Sequence, residues 1–162
     1  MEIKIFSVGG TIDKVYFDSL SEYQVGSPSV REILGGLPVA FDYEIESLLC
    51  KDSLDMDEAD RQKVSAAVEQ ESCDRILITH GTDTMVETGK VLLGIPRKVI
   101  VLTGAMEPAT FKSSDAVFNI GVAIGALNVL PEGVYLAMNG RIFDPRRCRK
   151  NRSRHMFEDV PG

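Results

Sequence analysis

Four short segments concentrate the residues that could do chemistry. They are Gly9-Gly10-Thr11-Ile12, Asp52-Ser53-Leu54-Asp55-Met56, Thr79-His80-Gly81-Thr82-Asp83-Thr84 and Thr103-Gly104-Ala105-Met106. Gly9-Gly10 allows a sharp turn and a close approach of backbone to ligand, with Thr11 projecting at that turn. A threonine hydroxyl is a weak nucleophile until a base takes its proton. Thr82, Asp83 and Thr84 stand at the start of a helical pattern. There they read either as helix caps or as polar groups beside unpaired N–H donors that attract a carboxylate. Ser53 reads by itself as a cap for the helix that follows. His80 follows a buried strand and reads as structural. His155 has no partner in sequence and reads as a surface residue.

The elements that must position these residues follow from hydrophobic periodicity. Residues 2–8 read as a buried strand and Phe41 to Leu49 as a half-exposed one, alternating Phe41, Tyr43 and Ile45 with acids. Arg75 to Thr79, Val99 to Leu102 and Val134 to Met138 read as further strands, the last being the final clear one. Helices are expected over Val30–Leu34, over Asp57–Glu71 with Val64, Ala67 and Val68 inward, over Asp83–Leu93, and from a Ser113-Ser114-Asp115 cap to about Val129. Residues 12–29 lack periodicity and read as a long, functional or mobile loop. Apolar strands alternating with helices imply an α/β fold. Specifically, they imply a three-layer, doubly wound, mainly parallel sheet in one domain over 1–162. Ligands of such sheets bind beyond the carboxyl ends of the strands. Each of the four segments follows a strand, so all four converge on that edge.

Composition sets the outer limits. The 162 residues are 44% hydrophobic and 26% charged, ordinary for a globular domain, and no run is long and apolar enough to span a bilayer. The amino terminus is too short and too acidic for a secretory signal, so a cytoplasmic protein with no membrane partner is expected. Cys50, Cys73 and Cys148 are odd in number and widely spaced, which implies reduced thiols rather than a metal or redox pair. The net charge of −6 is uneven: residues 141–162 hold seven Lys or Arg against three Asp or Glu. As a charge run this segment reads as a solvated face. Contact with RNA phosphates is the rival reading, but the acidic body and the absence of interleaved aromatics weigh against a nucleic-acid partner.

The ordered motifs resemble the amino-terminal, catalytic domain of the L-asparaginase family. Gly9-Gly10-Thr11-Ile12 is similar to the first signature and His80-Gly81-Thr82-Asp83-Thr84-Met85 to the second. Gly104-Ala105-Met106-Glu107-Pro108 and the block from Met138-Asn139 to Lys150 resemble the segments that follow. The resemblance implies an amidohydrolase acting on a small amino-acid amide, through an acyl-enzyme and without metal or organic cofactor. It implies Thr11 as nucleophile, Tyr23 as the lid residue that activates and covers it, Thr82 as second catalytic threonine and Lys150 as its partner. Ser53 would bind the substrate carboxylate and Asp83 its amino group, with Gly10 and Ala105 also contacting substrate. Backbone N–H groups near Thr82 and Ala105 would hold the oxyanion.

Val8 and Asp13 stand where the family usually has Thr and a small residue, and Leu54 where secreted members often have Gln; Asp13 puts a charge beside the nucleophile loop. The family also implies a second, carboxyl-terminal domain that supplies an acidic residue to a neighbouring subunit's site and builds much of the dimer interface. These 162 residues do not contain it. Two expectations follow: a homo-oligomer, and, as the rival to catalysis, a sensor or partner subunit that binds asparagine or aspartate without turnover.

Overall fold

The computed structural model describes residues 1–161. It contains β1 (Glu2–Gly9), β2 (Lys14–Phe17), β3 (Glu22–Val25), α1 (Val30–Gly35), β4 (Asp42–Lys51) and α2 (Glu58–Gln70). Then follow β5 (Arg75–Thr79), α3 (Met85–Val91), β6 (Val99–Thr103), α4 (Ala116–Val129), β7 (Gly133–Met138), β8 (Arg141–Phe143), β9 (Cys148–Asn151) and β10 (Met156–Asp159). The main sheet has the order β4-β1-β5-β6-β7-β8. Its first five strands pair in parallel, and β8 is antiparallel to β7.

Side-chain alternation explains the three layers. In β5, Ile76 and Ile78 enter one core cluster while Leu77 enters the other; in β6, Ile100 and Leu102 oppose Val99 and Val101. The first cluster receives Val64 and Val68 from α2 and Met85 and Val86 from α3. The second receives Val30 and Leu34 from α1 and Ala116, Ile120, Ala123 and Leu127 from α4. Each central strand is thus buried on both faces, which is why it reads as a continuous apolar run.

The chain runs from β1 outward to β4, then crosses back to β5 on the other side of β1. The loops after β1 and β5 therefore leave in opposite directions from neighbouring strands. That reversal opens the crevice in which doubly wound sheets hold ligands.

Four expectations need correction. Residues 12–29 are not a bare loop. A 3-10 turn at Thr11–Asp13 leads into the antiparallel hairpin of β2 and β3, in which Tyr16 pairs with Tyr23 and their rings lie 5.3 Å apart. The hairpin buries no face, so it leaves no core periodicity to read. The helix expected from Asp83 begins only at Met85. Asp115, at the start of α4, does not cap it with its side chain. Its carboxylate instead accepts from the backbone N–H groups of Met106 and Glu107. Val134–Met138 is not the last strand: β8, β9 and β10 follow, and Phe143, Cys148 and Phe157 bury the basic segment's inner side.

Candidate active site

Glycine packing brings the β1, β4, β5 and β6 loops into contact. Gly10 has φ +90°, and a Cβ there would lie 2.3 Å from the Gly81 Cα. A Cβ on Gly81 would in turn lie 2.6 Å from the Ser53 hydroxyl, and one on Gly104 2.2 Å from the His80 carbonyl oxygen. No real side chain fits at such distances, so these approaches require glycine. Hydrogen bonds close the assembly. The Thr84 hydroxyl donates to the Ser53 carbonyl at 2.8 Å, and the Ala109 N–H donates to the Ile12 carbonyl at 3.1 Å. Thr11 and Thr82 each directly follow one member of the Gly10–Gly81 contact.

The carboxyl-terminal segment completes the crevice. Lys150, on β9, donates to the Thr82 hydroxyl at 2.7 Å and to Asp83 Oδ1 at 2.9 Å, with only 14% of its side chain exposed. Arg152 donates through Nε to the same Oδ1 at 3.0 Å. Partial burial works against ionisation of the Asp83 carboxyl, but the bonds from Lys150 and Arg152 outweigh it and hold the group below the usual carboxylate range. Neither Thr82 nor Asp83 caps α3, so the cap reading fails for both. It fails for Ser53 as well, because Asp57 caps α2 in a reciprocal box with Asp60.

Ser53 is 1% exposed, and its hydroxyl finds no partner among the described residues. Ala105 is also buried, at the β6 carboxyl end. The backbone N–H groups of Thr82 and Ala105 donate to no backbone acceptor among the described residues.

Tyr23 lies on the hairpin. It is half exposed and packs edge-on against Phe111 at 5.7 Å, with no hydrogen bond to Thr11 among the described residues. Five of the named residues therefore come together (Gly10, Ser53, Thr82, Asp83 and Lys150), with Thr11 at the same contact. Tyr23 remains on the hairpin above.

His80 is fully buried. Its Nδ1 lies 2.7 Å from the Gly81 carbonyl and its Nε2 lies 2.8 Å from the Thr88 hydroxyl. A carbonyl can only accept, so Nδ1 carries the proton and Nε2 accepts from Thr88. Burial drives the imidazole pKa down to about 4, which keeps it neutral. His80 is thus a brace under the Gly81 turn.

Asp13 is also buried, at 1% exposure. Burial raises its carboxyl to about 6, against the lowering effect of bonds from the Ser29 N–H and the Ser7 hydroxyl at 2.8 and 3.0 Å. Its carbonyl also accepts from Gly26 N–H. Asp13 therefore ties the base of the β2–β3 hairpin to β1 and to α1. The sequence marks Asp13 only as a charge near Thr11, without this bracing role. Arg152 was also missed as a site residue, hidden in the basic run. It begins the 3-10 turn that follows β9, and no local spacing marks it.

A doubly wound α/β domain gathers hydroxyl, carboxylate and lysine groups at its topological switch, the place where such folds hold small molecules. Comparison with known proteins names the family. Residues 2–159 match the family model described as "Asparaginase, N-terminal", and the chain belongs to the asparaginase family. The probable periplasmic L-asparaginase of Haemophilus influenzae is 33% identical over 159 residues, covering 91% of this chain and 46% of the relative. L-asparaginase I of Vibrio cholerae superposes with a TM-score of 0.81 at 28% identity, over 99% of this chain and 52% of that one. The thermostable L-asparaginase of Thermococcus kodakarensis gives a TM-score of 0.83 at 24% identity, over 99% of this chain and 51% of that chain, a likeness of fold. The chain thus spans about half the length of the relatives it matches. Among the described residues no helix is long and apolar enough to cross a membrane.

Proposed function

We propose that the chain hydrolyses L-asparagine, or a related small carboxamide, to the acid and ammonia through Thr11. The observation that carries this reading is the Lys150–Thr82–Asp83 cluster. It joins groups 67 and 68 positions apart in sequence, directly beside the Gly10–Gly81 contact that presents Thr11. In the reaction, the Thr11 Oγ forms a bond to the amide carbon, and the C–N bond breaks. The nitrogen leaves as ammonia with the proton from the Thr11 hydroxyl. Water then attacks the acyl-enzyme, releasing the acid and restoring the hydroxyl. The N–H groups of Thr82 and Ala105 supply donors for the oxyanion. The Ser53 hydroxyl supplies a donor for a substrate carboxylate. It is closed off from solvent, so ligand entry requires the Ser53 and Gly81 loops to part. The hairpin carrying Tyr23 serves as the lid.

We place the protein in the cytoplasm, where its three free thiols remain reduced. Ammonia release from L-asparagine at millimolar substrate is the direct test. It should disappear in Thr11→Ala, and the absence of release from every small amide would rule the reading out. One observation favours binding without turnover: Tyr23 rests on Tyr16 and Phe111 rather than on Thr11. Calorimetric binding of aspartate that depends on Ser53 and Asp83, with no ammonia from any amide, would select that second reading.

A further inference from the structure

Asp83 is held by two cations on one oxygen. Lys150 Nζ and Arg152 Nε reach Oδ1 at 2.9 and 3.0 Å, so the three-group cluster carries a formal charge of +1. Lys14 and Asp52 are paired with each other at 2.7 Å and add no net charge. Outside Asp83 lies a cavity of about 250 Å³ whose lining includes Lys90, Arg149, Lys150 and Arg152. Glu87 is its other acid, and Arg149 is taken by Glu158 at 2.8 Å.

A ligand ammonium arriving at the second oxygen of Asp83 would be a third cation on a single carboxylate. A ligand that brings a carboxylate and no ammonium meets no such opposition. We propose that Arg152 is a specificity-determining residue that turns the site away from free α-amino acids. The favoured substrates are then ω-carboxamides of dicarboxylic acids that lack a free ammonium. The proposal rests on the amidohydrolase reading of the same crevice and sharpens its substrate class.

Succinamate and L-asparagine differ in the α-ammonium, as do their products succinate and L-aspartate. The test therefore compares the two amides by kinetics and the two acids by calorimetry. In the wild-type chain succinate should bind at least as tightly as L-aspartate, and succinamate should have a kcat/KM at or above that of L-asparagine. Arg152→Ala should raise kcat/KM for L-asparagine about fivefold, through KM with little change in kcat, and leave succinamate within about twofold. The expected shift is no larger because the Arg152 side chain is 68% exposed and solvent screens it. Arg152→Gln should behave like the alanine variant and Arg152→Lys like the wild type, since charge is the operative property. A wild-type preference for L-asparagine that neither neutral variant alters overturns the proposal. So does an equal loss for both amides, which would mark Arg152 as a general support for Asp83. If neither acid binds and no amide is cleaved, the amidohydrolase reading itself falls. If the acids bind without turnover, their order of affinity still decides the role of Arg152.

Discussion

Among the described residues the buried Ser53 hydroxyl has no hydrogen-bond partner. Such a group costs stability, on the order of 1–3 kcal/mol, unless something outside the chain satisfies it. Stability and binding should therefore separate at this position. Ser53→Ala should leave the melting temperature unchanged or slightly raised, while weakening binding of succinate and L-aspartate about tenfold or more. Thermal melts and calorimetry on the same preparation measure both. A variant that loses stability but keeps its affinity would show the hydroxyl to be structural. Lys150 makes the complementary point: it already donates to Thr82 and Asp83. At this scale the residue types of the site were legible before the fold was known, because glycine, threonine, serine and aspartate cluster after strands. Their partners were not. Arg152 looked like one arginine in a solvated run, since nothing local tells an arginine which acid it will meet.

The hairpin of β2 and β3 is anchored through Asp13, whose carboxylate and carbonyl hold Ser7, Ser29 and Gly26. Asp13 titrates near 6 in the fold against 3.8 ordinarily, so the folded state binds more protons between those values. Its contribution to stability is full below about pH 4 and is lost as pH rises through 6. His80 runs the other way: its pKa falls from 6.5 to about 4, so the unfolded state binds more protons there and stability rises with pH. Each shift of about 2 units corresponds to roughly 3 kcal/mol, and the two nearly cancel in the wild-type chain. In Asp13→Asn the His80 slope is no longer offset. The variant should lose stability on acidification from pH 6.5 to 4.5 more steeply than the wild type, as denaturation at each pH would reveal. Parallel curves for the two proteins would remove Asp13 from this role. The central strands and α2 and α4 were readable because they bury a periodic face. The hairpin and β8–β10 were not, because they are short and largely polar and are held by cross-strand pairs such as Tyr16–Tyr23 and Arg149–Glu158.

Across the whole molecule, charge is unevenly spread. Within the basic segment Arg141 pairs with Asp159, Arg146 with Asp144 and Arg149 with Glu158, while Arg152 reaches Asp83 outside it. The three acids of the segment are already counted in its surplus of basic residues, and Asp83 offsets only one further charge, so the argument against RNA rests on the acidic remainder of the chain. Helix α4, by contrast, has no charged residue in its 14 positions. Its outer side exposes Val117, Phe118 and Val129, with open space above Gly121 and Gly125. Two copies of an acidic chain can meet on such a face without opposing like charges. We therefore expect a homo-oligomer formed through α4, and Phe118→Glu should convert it to monomer in light scattering without unfolding. A monomeric wild-type chain at high concentration would refute that expectation.

By itself the sequence determined the α/β class, the central strand and helix pattern and the family, because these depend on periodicity and on motifs in chain order. It also placed the reactive segments at the carboxyl ends of strands. Only the tertiary structure decided which groups meet there. The order β4-β1-β5 puts the Thr11 and Thr82 loops side by side, and the return of β9 delivers Lys150 and Arg152 to Asp83. Contacts between residues nearly 70 positions apart depend on where the chain crosses the sheet, and no local spacing encodes that.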